Sequence, residues 1–96
     1  MHNDYFTTIR VVIKLFLEER YSSALRLLEE KIKIEENYGS YNLLKLMSAI
    51  IRAKMKDYTS TILILDEISD VIEPDRAKKI CNRVLQICSR NIFDEE

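Results

Sequence analysis

Catalysis or metal binding needs a nucleophile, a base or a ligand set held at fixed spacing, and the 96 residues offer few candidates. The single histidine, His2, has no element around it that could hold it against a nucleophile or a metal. Cys81 and Cys88 lie seven residues apart in one helical stretch. Two helical turns place them roughly 10 Å apart, too far for a disulfide between them. They read as reduced core residues of an intracellular protein, with a metal or redox site as the remote option. Glu29–Glu30, Glu35–Glu36 and Asp66–Glu67 are adjacent pairs on a surface, not opposed acids across a pocket. One glycine cannot build a phosphate-cradling loop. The residues therefore predict no catalysis, no cofactor, no metal and no small-molecule substrate.

Binding is the chemistry that remains, and it depends on the elements that present it. A chain of this length forms one domain, residues 1–96, and buries only roughly 60 to 65% of its unfolded surface. Apolar residues make up 47%, enough for a packed core, while one Gly and one Pro leave little to interrupt helices. The formal charge is -1 with both signs interspersed, so no net field draws the chain to nucleic acid or to anionic lipid. The opening residues, Met1 to Tyr21, show no signal-peptide pattern, and no stretch approaches the roughly 18 apolar residues of a membrane span. The expectation is a soluble protein of the cytoplasm or nucleus.

Apolar residues recurring at three and four divide the chain into five helical segments. The first runs from about Tyr5 to Glu19 with Thr7 or Asn3 as cap. The second runs from about Tyr21 or Ser22 to Glu36 with Ser22 as cap. Asn37 to Ser40 then breaks the pattern, with Gly39 available for positive φ. The third spans about Tyr41 to Met55, turning Leu43, Leu44, Met47, Ile50 and Ile51 inward. The fourth spans about Tyr58 to Val71; its TILILDEI run is rich in strand formers, but helical flanks and the lack of a partner strand favour helix. Pro74 opens the fifth at its first helical position, with Ala77, Ile80, Cys81, Val84, Leu85 and Cys88 as its stripe. Asp94 to Glu96 forms an acidic tail. Short connections make consecutive helices antiparallel.

A repeat runs through this pattern. Tyr21, Ala24 and Leu28 are matched 37 residues later by Tyr58, Thr61 and Leu65: aromatic, small, large apolar. A charged pair precedes each tyrosine, Glu19–Arg20 and Lys56–Asp57. The aromatic wedges two helices at the turn, the small residue lets their backbones approach, and the large one fills the space below. From about Tyr5 to Pro74 the chain resembles the tetratricopeptide repeat. That resemblance implies two helical hairpins, a fifth helix solvating the end of the stack, and a role as an adaptor, scaffold subunit or small chaperone. The period is longer than the family's roughly 34 residues, and Thr61 stands where alanine is usual. The run RVVIKLFLEERYSSALRLLEE also looks like the Lis-homology dimerisation module, at the cost of an insertion or two, and implies a homodimer instead.

The binding candidates lie on the first and third segments. The first is apolar over more than one face: Phe6, Ile9, Ile13, Phe16 and Leu17 on one side, Val11, Val12 and Leu15 on another. Such a helix needs covering on two sides. Either Phe6, Ile9, Ile13 and Phe16 meet a partner or a second copy, or the second and fifth helices together bury them. In the repeat register, the third segment lines a groove with Asn42, Lys45, Ala49 and Arg52, joined by Lys78 and Asn82 of the fifth; its cations and amides suit an acidic segment or a terminal carboxylate. The same residues also suit a plain solvated face. Five bases on the fifth helix raise a nucleic-acid reading, which the acidic chain and the lack of a second basic face disfavour.

Overall fold

The computed structural model describes residues 5–94, and among them the fold is all-α. Its helices are α1 (Tyr5–Leu17), α2 (Tyr21–Ile34), α3 (Tyr38–Lys54), α4 (Tyr58–Ile68) and α5 (Asp75–Asp94). Each packs antiparallel on the next, and α5 also packs on α3. The molecule measures 49 × 29 × 20 Å, a slab whose least dimension is about two helix diameters. One layer holds α1, α3 and α5, and the other holds α2 and α4.

The two hairpins turn identically. After α1, Glu19 adopts φ 60° and donates its N–H to Phe16 O at 3.0 Å, while Arg20 N donates to Leu15 O at 2.9 Å. After α3, Lys56 adopts φ 65° and donates to Ala53 O at 3.0 Å, while Asp57 N donates to Arg52 O at 2.9 Å. Both are Schellman closures, with a non-glycine residue in the left-handed position. Arg20 and Asp57 then start α2 and α4 from nearly the same backbone, φ/ψ -93/66 and -90/71. The charged pair before each tyrosine is thus the turn itself, recurring 37 residues apart. Ser22 lies one residue inside α2 and does not cap it. Arg20 occupies the cap with no side-chain bond, whereas Asp57 Oδ1 accepts from Ser60 N at 3.3 Å.

Other boundaries differ from the sequence pattern. The second break falls at Glu35 to Asn37, because Asn37 Oδ1 accepts Ser40 N at 2.9 Å and starts α3 three residues early. Gly39 is accordingly helical and has no positive φ. At α5, Pro74 sits one place before the helix, its carbonyl accepting the first helical N–H from Lys78 at 3.2 Å. Thr7 lies inside α1, and Asn3, the other proposed cap, falls outside the described residues, as do His2 and the last two acids. Asp94 is the final residue of α5, not part of a tail.

Two apolar clusters meet at α3. The first joins Val12, Ala24 and Leu28 of the first hairpin to Leu44 and Ile51. The second joins Leu46 and Ala49 to Leu65 and Ile68 of α4, Ile72, and Ala77 and Cys81 of α5. Both halves of the aromatic–small–large repeat do the same work: Ala24, Leu28, Thr61 and Leu65 are all fully buried, behind partly buried Tyr21 and Tyr58. Thr61 fits an alanine site because its hydroxyl has two carbonyls to donate to, Asp57 O at 2.8 Å and Ala49 O at 3.2 Å across the hairpin.

Candidate functional site

The 37-residue offset relates α5 to α3 as well. Leu44 and Ile51, which seat α3 on the first hairpin, correspond to Cys81 and Cys88, all four buried. Leu43, Met47 and Ile50 correspond to Ile80, Val84 and Ile87, none of them fully buried. Where α3 meets α4 with Asn42, Leu46, Ala49 and Ala53, α5 carries Lys79, Arg83, Gln86 and Arg90, all exposed. At the opposite end, Thr7 and Lys14 of α1 stand where α3 has Leu44 and Ile51. The two ends carry these polar residues, with Val11 exposed beside Thr7 and Lys14, whereas the open side of the α1, α3, α5 layer carries partly exposed apolar side chains on each helix.

On α1 that face holds Phe6, Ile13 and Leu17, at 70%, 46% and 75% exposure. Their spacing of seven and four makes one row, about 16 Å long at 1.5 Å per residue. Ile9 and Phe16 lie between this row and the core; Phe16 stacks edge-on against Tyr21 with ring centres 5.5 Å apart. Beside the row, α1 and α3 enclose an open cleft of about 170 Å³ lined by Val12, Ile13, Phe16, Met47, Ile50 and Ile51. Every lining side chain is apolar. Helix α5 packs on α3 and α4 and not comparably on α1, so α2 and α5 do not together bury the first helix.

The residues expected along the α3 groove are placed elsewhere. Asn42 is 3% exposed and Ala49 is fully buried, because α3 is flanked by α4 on the very face that the sequence register left open. Lys45 and Arg52 are each two residues from a cleft residue, Met47 and Ile50, which turns them about 200° away. There Lys45 Nζ reaches Glu67 at 3.4 Å and lies 5.9 Å from the Tyr41 ring centre. Arg52 Nη2 donates to Glu29 Oε2 at 2.6 Å and Nη1 reaches Asp57 at 3.6 Å, tying α2 to the second turn, while its buried Nε has no partner. These cations brace the fold rather than line the cleft. On α5, Lys78 is half-buried and Asn82 exposed. What the stripe reading missed is the continuation of that face on α3 and α5, with Met47 and Ile50 in the cleft and Ile80 and Ile87 exposed. Superposing the third and fifth segments at the offset of 37 would have shown it.

Charge is sorted between the layers. Helices α1, α3 and α5 carry two, three and five bases, and their only acids are Asp75 and Asp94 at the ends of α5. Ten bases against two acids put +8 on this layer, in a chain of formal charge -1. Arg10, Lys54, Arg76 and Arg83 are exposed and form no ion pair with another described residue. Each is three or four residues from an exposed or cleft apolar side chain: Arg10 from Phe6 and Ile13, Lys54 from Ile50, Arg76 and Arg83 from Ile80.

Burial pushes the Cys81 and Cys88 thiols above their ordinary range, with Asp66 adding to the rise at Cys81, so both are protonated and poor nucleophiles near neutrality. Cys81 Sγ lies 3.7 Å from Leu65 O as a weak donor. Among the described residues no group of three His, Cys, Asp or Glu could hold a metal ion, and no helix is long and apolar enough to cross a membrane. Compared with protein-family models, curated proteins and solved structures, the chain matches none.

Proposed function

We propose that the chain is a non-catalytic protein–protein interaction module of the adaptor, scaffold-subunit or small-chaperone kind, built from tetratricopeptide-like hairpins, that takes a partner segment on α1 and α3. The observation that carries this reading is the apolar cleft of Ile13, Phe16, Met47 and Ile50, continuous with the exposed row Phe6, Ile13 and Leu17. Large apolar side chains in one patch on a small protein lose unfavourable hydration when a partner covers them. The recurring turn and the buried small residues at the offset of 37 support the repeat resemblance. The partner's groove on α3 is then Met47 and Ile50, not Asn42, Lys45 and Arg52.

The test is a selection from displayed helical peptides on the native chain and on Ile13→Glu and Met47→Glu. Binders recovered on the native chain should be lost on both variants while circular dichroism is unchanged. Binders indifferent to both substitutions remove the cleft from the function, and unfolding of both variants makes it core. Light scattering over a tenfold concentration range addresses the self-pairing implied by the Lis-homology likeness: a dimer that Ile13→Glu dissociates would make the occupant a second copy.

A further inference from the structure

We infer that the occupant of the α1–α3 cleft is an acidic amphipathic helix of another protein, its apolar edge in the cleft and its carboxylates against Arg10, Lys54 and the arginines of α5. The inference rests on the reading of the cleft as a binding site and adds the chemistry of what binds. Three observations combine. The open face has an apolar centre, from Phe6, Ile13 and Leu17 to Met47 and Ile50. Its unpaired charges are all basic: Arg10 within the α1 row and Lys54 one turn beyond Ile50, with Arg76 and Arg83 at the α5 edge beside Ile80, where the open face meets the polar end. Its layer as a whole carries +8, while the compensating acids lie on α2, α4, the turns and the chain ends.

Charge complementarity separates the candidate occupants. Two copies meeting through this face would bring one +8 layer against another, a like-charge juxtaposition that works against the apolar gain. Duplex DNA would satisfy the bases, but its phosphates offer nothing apolar to dehydrate Phe16, Met47 and Ile50. An anionic lipid surface supplies acyl chains and negative charge, yet the apolar centre includes a cleft between two helices, a shape that receives a side chain. A helix with apolar residues at i, i+3 or i+4 and i+7 fills that cleft, matches the roughly 16 Å row in three turns, and points acids at bases three or four residues from each contact.

The probes are two labelled 16-residue peptides with the same leucine spacing, one with glutamates and one with lysines at the remaining positions, titrated by fluorescence anisotropy. The acidic peptide should bind about tenfold or more tightly than the basic one, and weaken as salt rises from 50 to 300 mM. The triple variant Arg10→Glu, Lys54→Glu, Arg83→Glu touches only exposed, unpaired side chains. It should reduce acidic-peptide binding about tenfold, as expected from three exposed charges at a fraction of a kcal/mol each and reversal in sign, and raise that of the basic peptide. Equal binding of the two peptides, lost in both cases on Ile13→Glu, would leave the cleft as a site and overturn its acidic preference. Failure of the acidic peptide to bind overturns the inference, and if displayed helices still bind through Ile13 the underlying reading survives it. Tighter retention by duplex DNA or by phosphatidylserine vesicles than by the acidic peptide, or an Ile13-dependent dimer, also overturns it.

Discussion

Lys56 holds φ 65° at the turn between α3 and α4, a conformation in which a Cβ costs about 1–2 kcal/mol and glycine costs nothing sterically. Lys56→Gly should therefore raise stability by about 0.5–1 kcal/mol after the flexibility that glycine adds to the unfolded chain is deducted. Urea unfolding reads this directly, and Glu19→Gly, at the equivalent turn, should behave alike. At the buried thiols the prediction concerns pH. Both have folded-state pKa values raised above the ordinary 9.0, so the folded state holds its protons longer than the unfolded state does. Their contribution is fully present below pH 9 and is lost as pH rises beyond it. The melting temperature should fall as pH rises above 9, and a Cys81→Ala, Cys88→Ala double variant should flatten that part of the decline while lowering stability throughout. A decline of unchanged slope in the double variant would assign the effect to other groups.

At the scale of elements, the two hairpins share a turn but not a cap. Arg20 and Asp57 have the same backbone angles, yet only Asp57 gives its side chain to the following helix. Arg20→Asp should install that bond to Ser23 N, place a negative charge at the positive end of α2, and stabilise by about 0.5–1 kcal/mol. The exposed Arg20–Glu18 pair it removes, at 3.9 Å, contributes little. An unchanged denaturation midpoint would mean that the new carboxylate is held off by Glu18 and Glu19. Helix α3 is the element on which the fold converges, giving Leu44 and Ile51 to one cluster and Leu46 and Ala49 to the other. Substituting Leu44→Ala should cost about 2–5 kcal/mol, the range for a leucine removed from a filled site.

For the whole molecule, what matters is which apolar surface the stack leaves uncovered. Val12 and Ile13 are neighbours in sequence at 1% and 46% exposure. Val12→Glu puts an unpaired charge among Ala24, Leu28 and Leu44 and should unfold the chain. Ile13→Glu should change stability by less than about 1 kcal/mol and keep the helical circular dichroism spectrum. Equal damage from both would show that the α1–α3 cleft closes in solution. The sorting of ten bases and two acids into one layer has a consequence at the same scale: non-specific retention on a polyanion column should exceed what a formal charge of -1 suggests, and disappear in moderate salt.

Period and composition by themselves determined the class and the element list. One Gly, one Pro and apolar residues at three and four leave five helices, and the TILILDEI run is helical as its flanks required. The spacing of Tyr21, Ala24 and Leu28 against Tyr58, Thr61 and Leu65 also located both buried hairpin contacts, because that contact is local and each hairpin makes it within itself. Phe6 and Ile13 were legible as part of an apolar excess on the first helix, and the structure decided that they are exposed rather than covered by α2 and α5. The face of α3 was not. A periodic pattern gives the angle of each side chain about its own helix axis, but the number and direction of neighbouring helices are properties of the stack. With α4 on one side and the first hairpin on the other, Asn42 and Ala49 go inside, and Lys45 and Arg52 turn to the acids of α4, α2 and the second turn. The angle left over, holding Met47 and Ile50, becomes the cleft. Only tertiary packing could assign it, because α5 lies against α3 and α4 and leaves α1 without a second cover.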